Sequence, residues 1–294
     1  MSQPYAISYN DAAVKELLWD SIKDLDAINT YVTSNAGEVA VGQKLHSWVV
    51  DPIDTISSQS TVNEMADTSY ANTDPTILSN STEIIEKGFK VSKTDENSNH
   101  AAFKSRFARE QVKAMKLWKN QLEYDVIKGS LTTGSSTVTA RQMGGIESFA
   151  GNTYTTASGS VTFDSTEFNR LMGLAWDDGA EIQTVLVARG MKAKISAFTA
   201  GNTRNVEAKA AELVGRVDTY DGDNGRHKII QHRYMTAGEL TGYIDDYILV
   251  GHLDQPHYEE RPAAGYYKAG SIVGESTVQV SNENAVLYAK TYAS

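Results

Sequence analysis

The sequence predicts an α+β protein with a mixed or antiparallel sheet, and three patterns carry that expectation. From about Asn99 to Lys128 apolar side chains return at helical spacing, in Phe107, Ala114, Met115, Trp118, Leu122 and Val126. Ile182 to Ala188, IQTVLVA, is short, β-branched and uniformly apolar, as a fully buried strand is. Two extended stretches, LHSWVVDPID (Leu45 to Asp54) and EIIEKGFKVSK (Glu83 to Lys93), bracket a region of Ser, Thr and Asn.

In chain order, the first element is an amphipathic helix from about Asp11 to Ile28, where Val14, Leu17, Leu18, Ile22, Leu25 and Ile28 recur every three or four residues and Asn10 or Asp11 can cap it. The two extended stretches then form a long hairpin with a polar tip. Its arms carry Trp48, Val49, Val50 and Ile53 on one side and Ile84, Ile85, Phe89 and Val91 on the other. An isolated two-stranded ribbon is marginal in water, so these groups need cover from elsewhere. The long helix follows, roughly 42 Å at 1.5 Å per residue, with Gly129 placed to end it. It reads as a spine.

Beyond ARQMGGIESFA (Ala140 to Ala150), Asp164 and Glu167 resemble a capping box that opens a helix reaching about Asp178. Strand-like runs follow at His227 to Tyr234, Tyr247 to Gly251, Ser276 to Val280 and Ala285 to Lys290, with DGDNG (Asp221 to Gly225) as a hairpin turn. Residues 196–226 include AGNTRN and DGDNGR, lack an apolar period and are expected to hold mobile loops.

Composition narrows the function. With 40% hydrophobic and 22% charged residues the 294-residue chain is globular, and the absence of cysteine excludes disulfides, thiolate metal sites and a cysteine nucleophile. No signal peptide or membrane span is legible, so no membrane partner is expected. A net charge of −10 argues against a freely diffusing nucleic-acid binder. Charge is nonetheless uneven: residues 97–130 hold seven basic and three acidic side chains. Arg106, Arg109, Lys113 and Lys116 share one helix face, opposite Phe107, Ala114, Trp118 and Leu122. That face is a solvated or salt-bridged surface, or a contact for DNA phosphates.

Catalytic constellations fail on spacing. No Walker loop, nucleophile elbow or HExxH occurs. His227, His232, His252 and His257, with Asp254, lie near one another in sequence, but their separations suit neither one helix face nor one strand face. DGDNG lacks the glycine and glutamate of a calcium loop, and Asn80-Ser81-Thr82 matches a glycosylation pattern by chance. Tyr258, Tyr266 and Tyr267 read as packing or interface aromatics rather than a base-stacking platform. No catalytic residue, cofactor or metal is expected.

Several segments in one collinear order resemble the major capsid proteins of tailed bacteriophages. They are Trp48 to Asp51 (W-x-x-D), Asn80 to Ile84 (NSTEI), Val91 to Thr94 (VSKT), QLEYDVIKGS at the helix end, Ala140 to Gly145 (AR-x-M-x-G), Val273 to Thr277 (VGEST) and Asn282 to Ala285 (NENA). The resemblance implies a Hong-Kong-97-type capsid fold. Its parts would be an N-terminal arm (1–37), an E-loop hairpin (38–96), a P-domain with the spine helix (97–150), an A-domain with a mixed sheet (151–264) and C-terminal P-domain strands (265–294). It implies self-assembly into hexamers and pentamers of an icosahedral head around packaged double-stranded DNA, with assembly in the host cytoplasm. Trp48, Val50, Phe89 and Val91 would then be covered by a neighbouring subunit, and Arg106, Arg109, Lys113 and Lys116 would face the DNA. A portal and a separate scaffold or decoration protein are expected partners; because the chain begins almost at the arm, assembly is expected to use a separate scaffold or none. Two other readings stand beside it. An encapsulin-like nanocompartment shell would enclose protein cargo instead of DNA, and a metal-dependent hydrolase would use the His227 to His257 region.

Overall fold

A computed structural model describes residues 30–51, 61–67, 72–98, 105–134, 139–156, 161–198 and 218–292. The helix expected from about Asp11 to Ile28 and the AGNTRN segment lie outside them. The described chain begins with a short helix, α1 (Tyr31–Asn35), and strands β1 (Gly37–Ala40), β2 (Leu45–Val50), β3 (Thr76–Ser81) and β4 (Glu83–Ser92). A short α2 (Lys93–Asn97) precedes the long α3 (Arg106–Lys128). Then come β5 (Asn152–Thr155), α4 (Ser165–Asp177), β6 (Thr184–Val187) and α5 (Arg189–Ser196). The chain closes with β7 (Thr219–Gly222), β8 (Gly225–Gln231), β9 (Leu240–Tyr243), β10 (Ile248–Arg261), β11 (Tyr267–Val280) and β12 (Val286–Lys290).

The spine helix is present and shorter than expected. Ser105 caps it by accepting a hydrogen bond from Ala108 N (3.1 Å), and Gly129 follows its last residue. Ala114, Trp118 and Leu122 are buried on the expected face. Toward the C-terminal end Glu123, Asp125, Val126 and Ile127 are buried as well, so the helix is enclosed on more than one side there. The end of α3 is inside the molecule.

The expected mixed sheet has six strands in the order β5-β12-β9-β6-β8-β7, with parallel β12/β5 and β6/β8 pairs and antiparallel pairs elsewhere. All four residues of β6 are buried because both sheet faces are covered. Val185 and Val187 join a core with Phe168 and Leu171 of α4 and Met191 of α5, whereas Leu186 joins the core containing Trp118 and Ile127 of α3. Asp164 caps α4 through Glu167 N (2.8 Å), while the Glu167 side chain turns to Arg170 and Tyr292, so only half of the capping box forms. DGDNG is the turn between β7 and β8, with Gly225 at φ 120°.

The hairpin differs from expectation. β2 pairs with β3, Trp48 opposite Leu78 and Val49 opposite Ile77, although TILSNS reads in the sequence as part of the polar tip. The stretch expected as the second arm, β4, instead pairs with β11 in a four-stranded sheet of order β1-β10-β11-β4. Strand β10 lies in this sheet, and β12 in the six-stranded one. The two sheets therefore divide the chain differently from the boundaries expected at residues 96 and 264.

Of the four residues expected to be covered by a neighbouring subunit, Trp48 and Val91 are buried within their own chain, while Val50 and Phe89 are half-buried. The Trp48 ring lies 5.8 Å from Phe149. Val50 packs on the same core. Phe89 lies 5.0 Å from Phe107 and 6.3 Å from Tyr258, ring to ring. Alternation along a strand accounts for this: one face of each arm is laid on the body, and the other faces outward.

Candidate functional site

The recurrent motifs meet at the root of the hairpin. Asn80, fully buried at the end of β3, donates through Nδ2 to Gly144 O (2.9 Å) and Val278 O (2.7 Å), and its Oδ1 accepts from Gly144 N (2.7 Å). A side-chain amide has two donors and an acceptor, and here all are used. Thr82 Oγ1 donates to Lys44 O (3.1 Å) and contacts Glu275, whose Oε1 also takes Arg141 Nη2 at 2.6 Å. Thr277 Oγ1 donates to Ser81 O (3.0 Å), and Met143 N donates to Glu83 Oε2 (3.1 Å). NSTEI, AR-x-M-x-G and VGEST are thus three parts of one polar clasp. The space is tight: a Cβ on Gly145 would lie 2.6 Å from Gly129 N and 2.8 Å from Asp125 O.

Electrostatics at the clasp centre on two carboxyls. Burial, with the Asp125 charge beside it, pushes Glu83 from 4.5 up to about 7, against the Met143 hydrogen bond, which lowers it. Burial likewise raises Asp125, opposed by Gln121 and Lys87. Asp125 Oδ1 accepts from Gln121 Nε2 (2.9 Å), and Gln121 Oε1 accepts from Lys87 Nζ (3.0 Å).

A second clasp holds the other root. Glu123 Oε1 and Oε2 accept from Val32 N (2.7 Å) and Thr33 N (2.8 Å) at the start of α1, and Oε1 lies 3.0 Å from His232 Nε2. Tyr234 N donates to His232 Nδ1 (3.3 Å), so Nε2 carries the proton that goes to Glu123. Strand β1 then pairs in parallel with β10. Both hairpin strands leave the body from fixed points.

On the outward side the chemistry reverses. Val49 is 64% exposed and its cross-strand partner Ile77 71% exposed. Sequence reasoning named Val49 among the arm's apolar groups, but missed Ile77 together with β3. Asn80 was missed too: its triplet looks like an accidental glycosylation pattern, and the available signal was its place in a recurring segment.

Arg106, Arg109, Lys113 and Lys116 lie on α3 opposite Trp118, as expected, and all are half-buried. Glu110 Oε1 is 3.2 Å from Arg106 Nε and 3.5 Å from Lys113 Nζ. The histidines are dispersed among separate partners: His227 Nδ1 with Ile182 O (2.6 Å), His252 Nδ1 with Ser276 Oγ (2.8 Å) and His257 Nδ1 with Gln255 O (2.9 Å). Burial lowers the pKa of both His227 and His252. Among the described residues, no three His, Asp or Glu side chains converge as metal ligands, and no helix is long and apolar enough to cross a membrane.

Residues 6–292 match the family model for the SU10 major capsid protein. The fold is shared with the capsid of a native GTA particle (TM-score 0.72, 12% identity, covering 99% of this chain and 100% of that one). It is shared also with a structure from Gordonia phage Cozz (0.62, 14%, 99% and 98%) and the capsid of cyanophage A-1(L) (0.66, 10%, 94% and 96%). No curated protein matches the chain. At these identities the solved structures establish the fold, the Hong-Kong-97-type, while the family model matches nearly the whole length. The chain belongs to the SU10 major capsid protein family and is the coat protein of a tailed-phage virion.

Proposed function

We propose that the subunit forms the hexamers and pentamers of an icosahedral head enclosing double-stranded DNA, and that it catalyses nothing. The observation that carries this reading is the two-sided hairpin. Its inner face is packed on the body, and Val49 and Ile77 stay on the outside of a ribbon held at both roots. Such a strip suits burial under a neighbouring copy, where its area contributes at ~25 cal/mol per Å². The basic face of α3 turns to the lumen and meets phosphates without reading sequence, Glu110 balancing part of its charge. A portal and a scaffold or decoration protein complete the head, assembled in the host cytoplasm.

Expression of the full chain followed by electron microscopy tests the shell, and nuclease protection in particles from infected cells tests the content. Closed icosahedral particles holding nuclease-resistant DNA are expected. Particles filled with a protein cargo and free of DNA would favour a nanocompartment instead.

A further inference from the structure

The outward face of α3 carries more than charge. Val112 is 57% exposed and Leu117 55%, and both stand among Arg109, Lys113 and Lys116. Phosphates have no use for two bare aliphatic side chains. The strip is therefore amphipathic, and it fits a partner that pairs an apolar stripe with negative charge.

The position of the strip narrows the occupant. Val112, Lys116 and Glu123 follow one another at steps of four and seven, which at roughly 100° per residue sets them on one line along the helix. Glu123 ends that line beneath α1, where its carboxylate accepts from Val32 N (2.7 Å) and Thr33 N (2.8 Å). The chain thus enters α1 on the side of α3 that is bare about two to three turns earlier. Residues just ahead of α1 need only continue the contact that α1 begins.

Those residues have the matching chemistry. The amphipathic helix expected at 11–28 carries Asp11, Glu16, Asp20, Asp24 and Asp26 against Lys15 and Lys23, beside the stripe of Val14, Leu17, Leu18, Ile22, Leu25 and Ile28. Only Asn29 separates Ile28 from Thr30, where the described residues begin. At 1.5 Å per residue such a helix spans about 27 Å, and α3 from Arg106 to Glu123 spans about 26 Å. Length, charge and point of entry agree.

We propose that residues 11–28 dock as an acidic amphipathic helix on the 109–117 strip of their own chain, the apolar stripe on Val112 and Leu117 and the carboxylates beside Arg109, Lys113 and Lys116. The docked helix runs parallel to α3, because α1 fixes its C-terminal end at Glu123 and the bare surface extends from there toward Arg106. Its carboxylates and the phosphates of packaged DNA are then alternative partners of the same cations. That consequence rests on the lumenal reading of this face; the docking does not.

The test is carbodiimide coupling, which joins an amine to a carboxylate in direct contact, on an equal mixture of unlabelled and isotopically heavy full-length subunits. Peptide mass spectrometry should find Lys113 or Lys116 joined to acids of residues 11–28, in light–light and heavy–heavy pairs only. Val112→Ser with Leu117→Ser should deplete these links although both lysines remain. Lys113→Glu with Lys116→Glu should open residues 11–28 to limited proteolysis, and adding Asp20→Lys with Asp24→Lys should restore protection. Light–heavy links would assign the strip to a second copy, and a lack of links to residues 11–28 would assign it to another partner; either overturns the proposal. Loss of the links on adding double-stranded DNA would support the shared cations, whereas links undiminished with DNA bound would contradict the DNA reading of this face and leave the docking standing.

Discussion

The two ends of the β2–β3 ribbon invert the usual rule of burial. At its root Asn80 and Thr82 have no exposed surface, whereas farther along Val49 and Ile77 are among the most exposed apolar residues described. Polar groups buried at the root are saturated by specific partners, so they fix direction inside the subunit. Apolar groups held outward satisfy nothing within the chain and await a surface. One short ribbon thus separates intramolecular positioning from intermolecular adhesion, and substitutions in the two regions should fail in different ways.

The largest effect on the subunit is expected at the root. Asn80→Ala would strand Gly144 N, Gly144 O and Val278 O, each buried polar group costing ~1–3 kcal/mol, so a loss of about 3–5 kcal/mol should appear in denaturant unfolding of the unassembled chain. Unchanged stability there would erase the distinction. Trp48→Ala comes next, at about 3 kcal/mol, because its ring packs against Phe149 inside the chain. The melting temperature of the subunit should fall, which separates the inner face from a purely intermolecular one. Smallest is the basic face. Replacing Arg106, Arg109, Lys113 and Lys116 by Gln should change subunit stability by no more than about 0.5 kcal/mol. The same particles should retain less DNA, as quantified by nucleic acid per particle.

What was legible in the sequence was what short-range periodicity encodes. The stripe through Ala114, Trp118 and Leu122, the uniform β6 and the Asp164 cap all depend on neighbours within a few residues. Strand β3 was hidden because four of the six residues of TILSNS are Ser, Thr or Asn, so it reads as loop; the partners that saturate Asn80 are not revealed by local pattern. The partner of β4 was hidden because β11 lies nearly two hundred residues away, and composition carries no register over that distance. Glu123 was only one of three acidic side chains in residues 97–130, and His232 one of four histidines whose spacing fits no metal site, yet each is buried as the other's partner. For the candidate site, the motifs marked the right segments, and only the fold showed that they touch.

The most direct test of the division is the double variant Val49→Ser, Ile77→Ser, followed through both subunit unfolding and particle yield. These side chains are exposed in the subunit, so its unfolding free energy should stay within about 0.5 kcal/mol of wild type. Sedimentation should show closed particles replaced by unassembled subunits or small oligomers. Normal yields of particles with wild-type thermal stability would contradict the account, because the outward strip would then have no neighbour to meet.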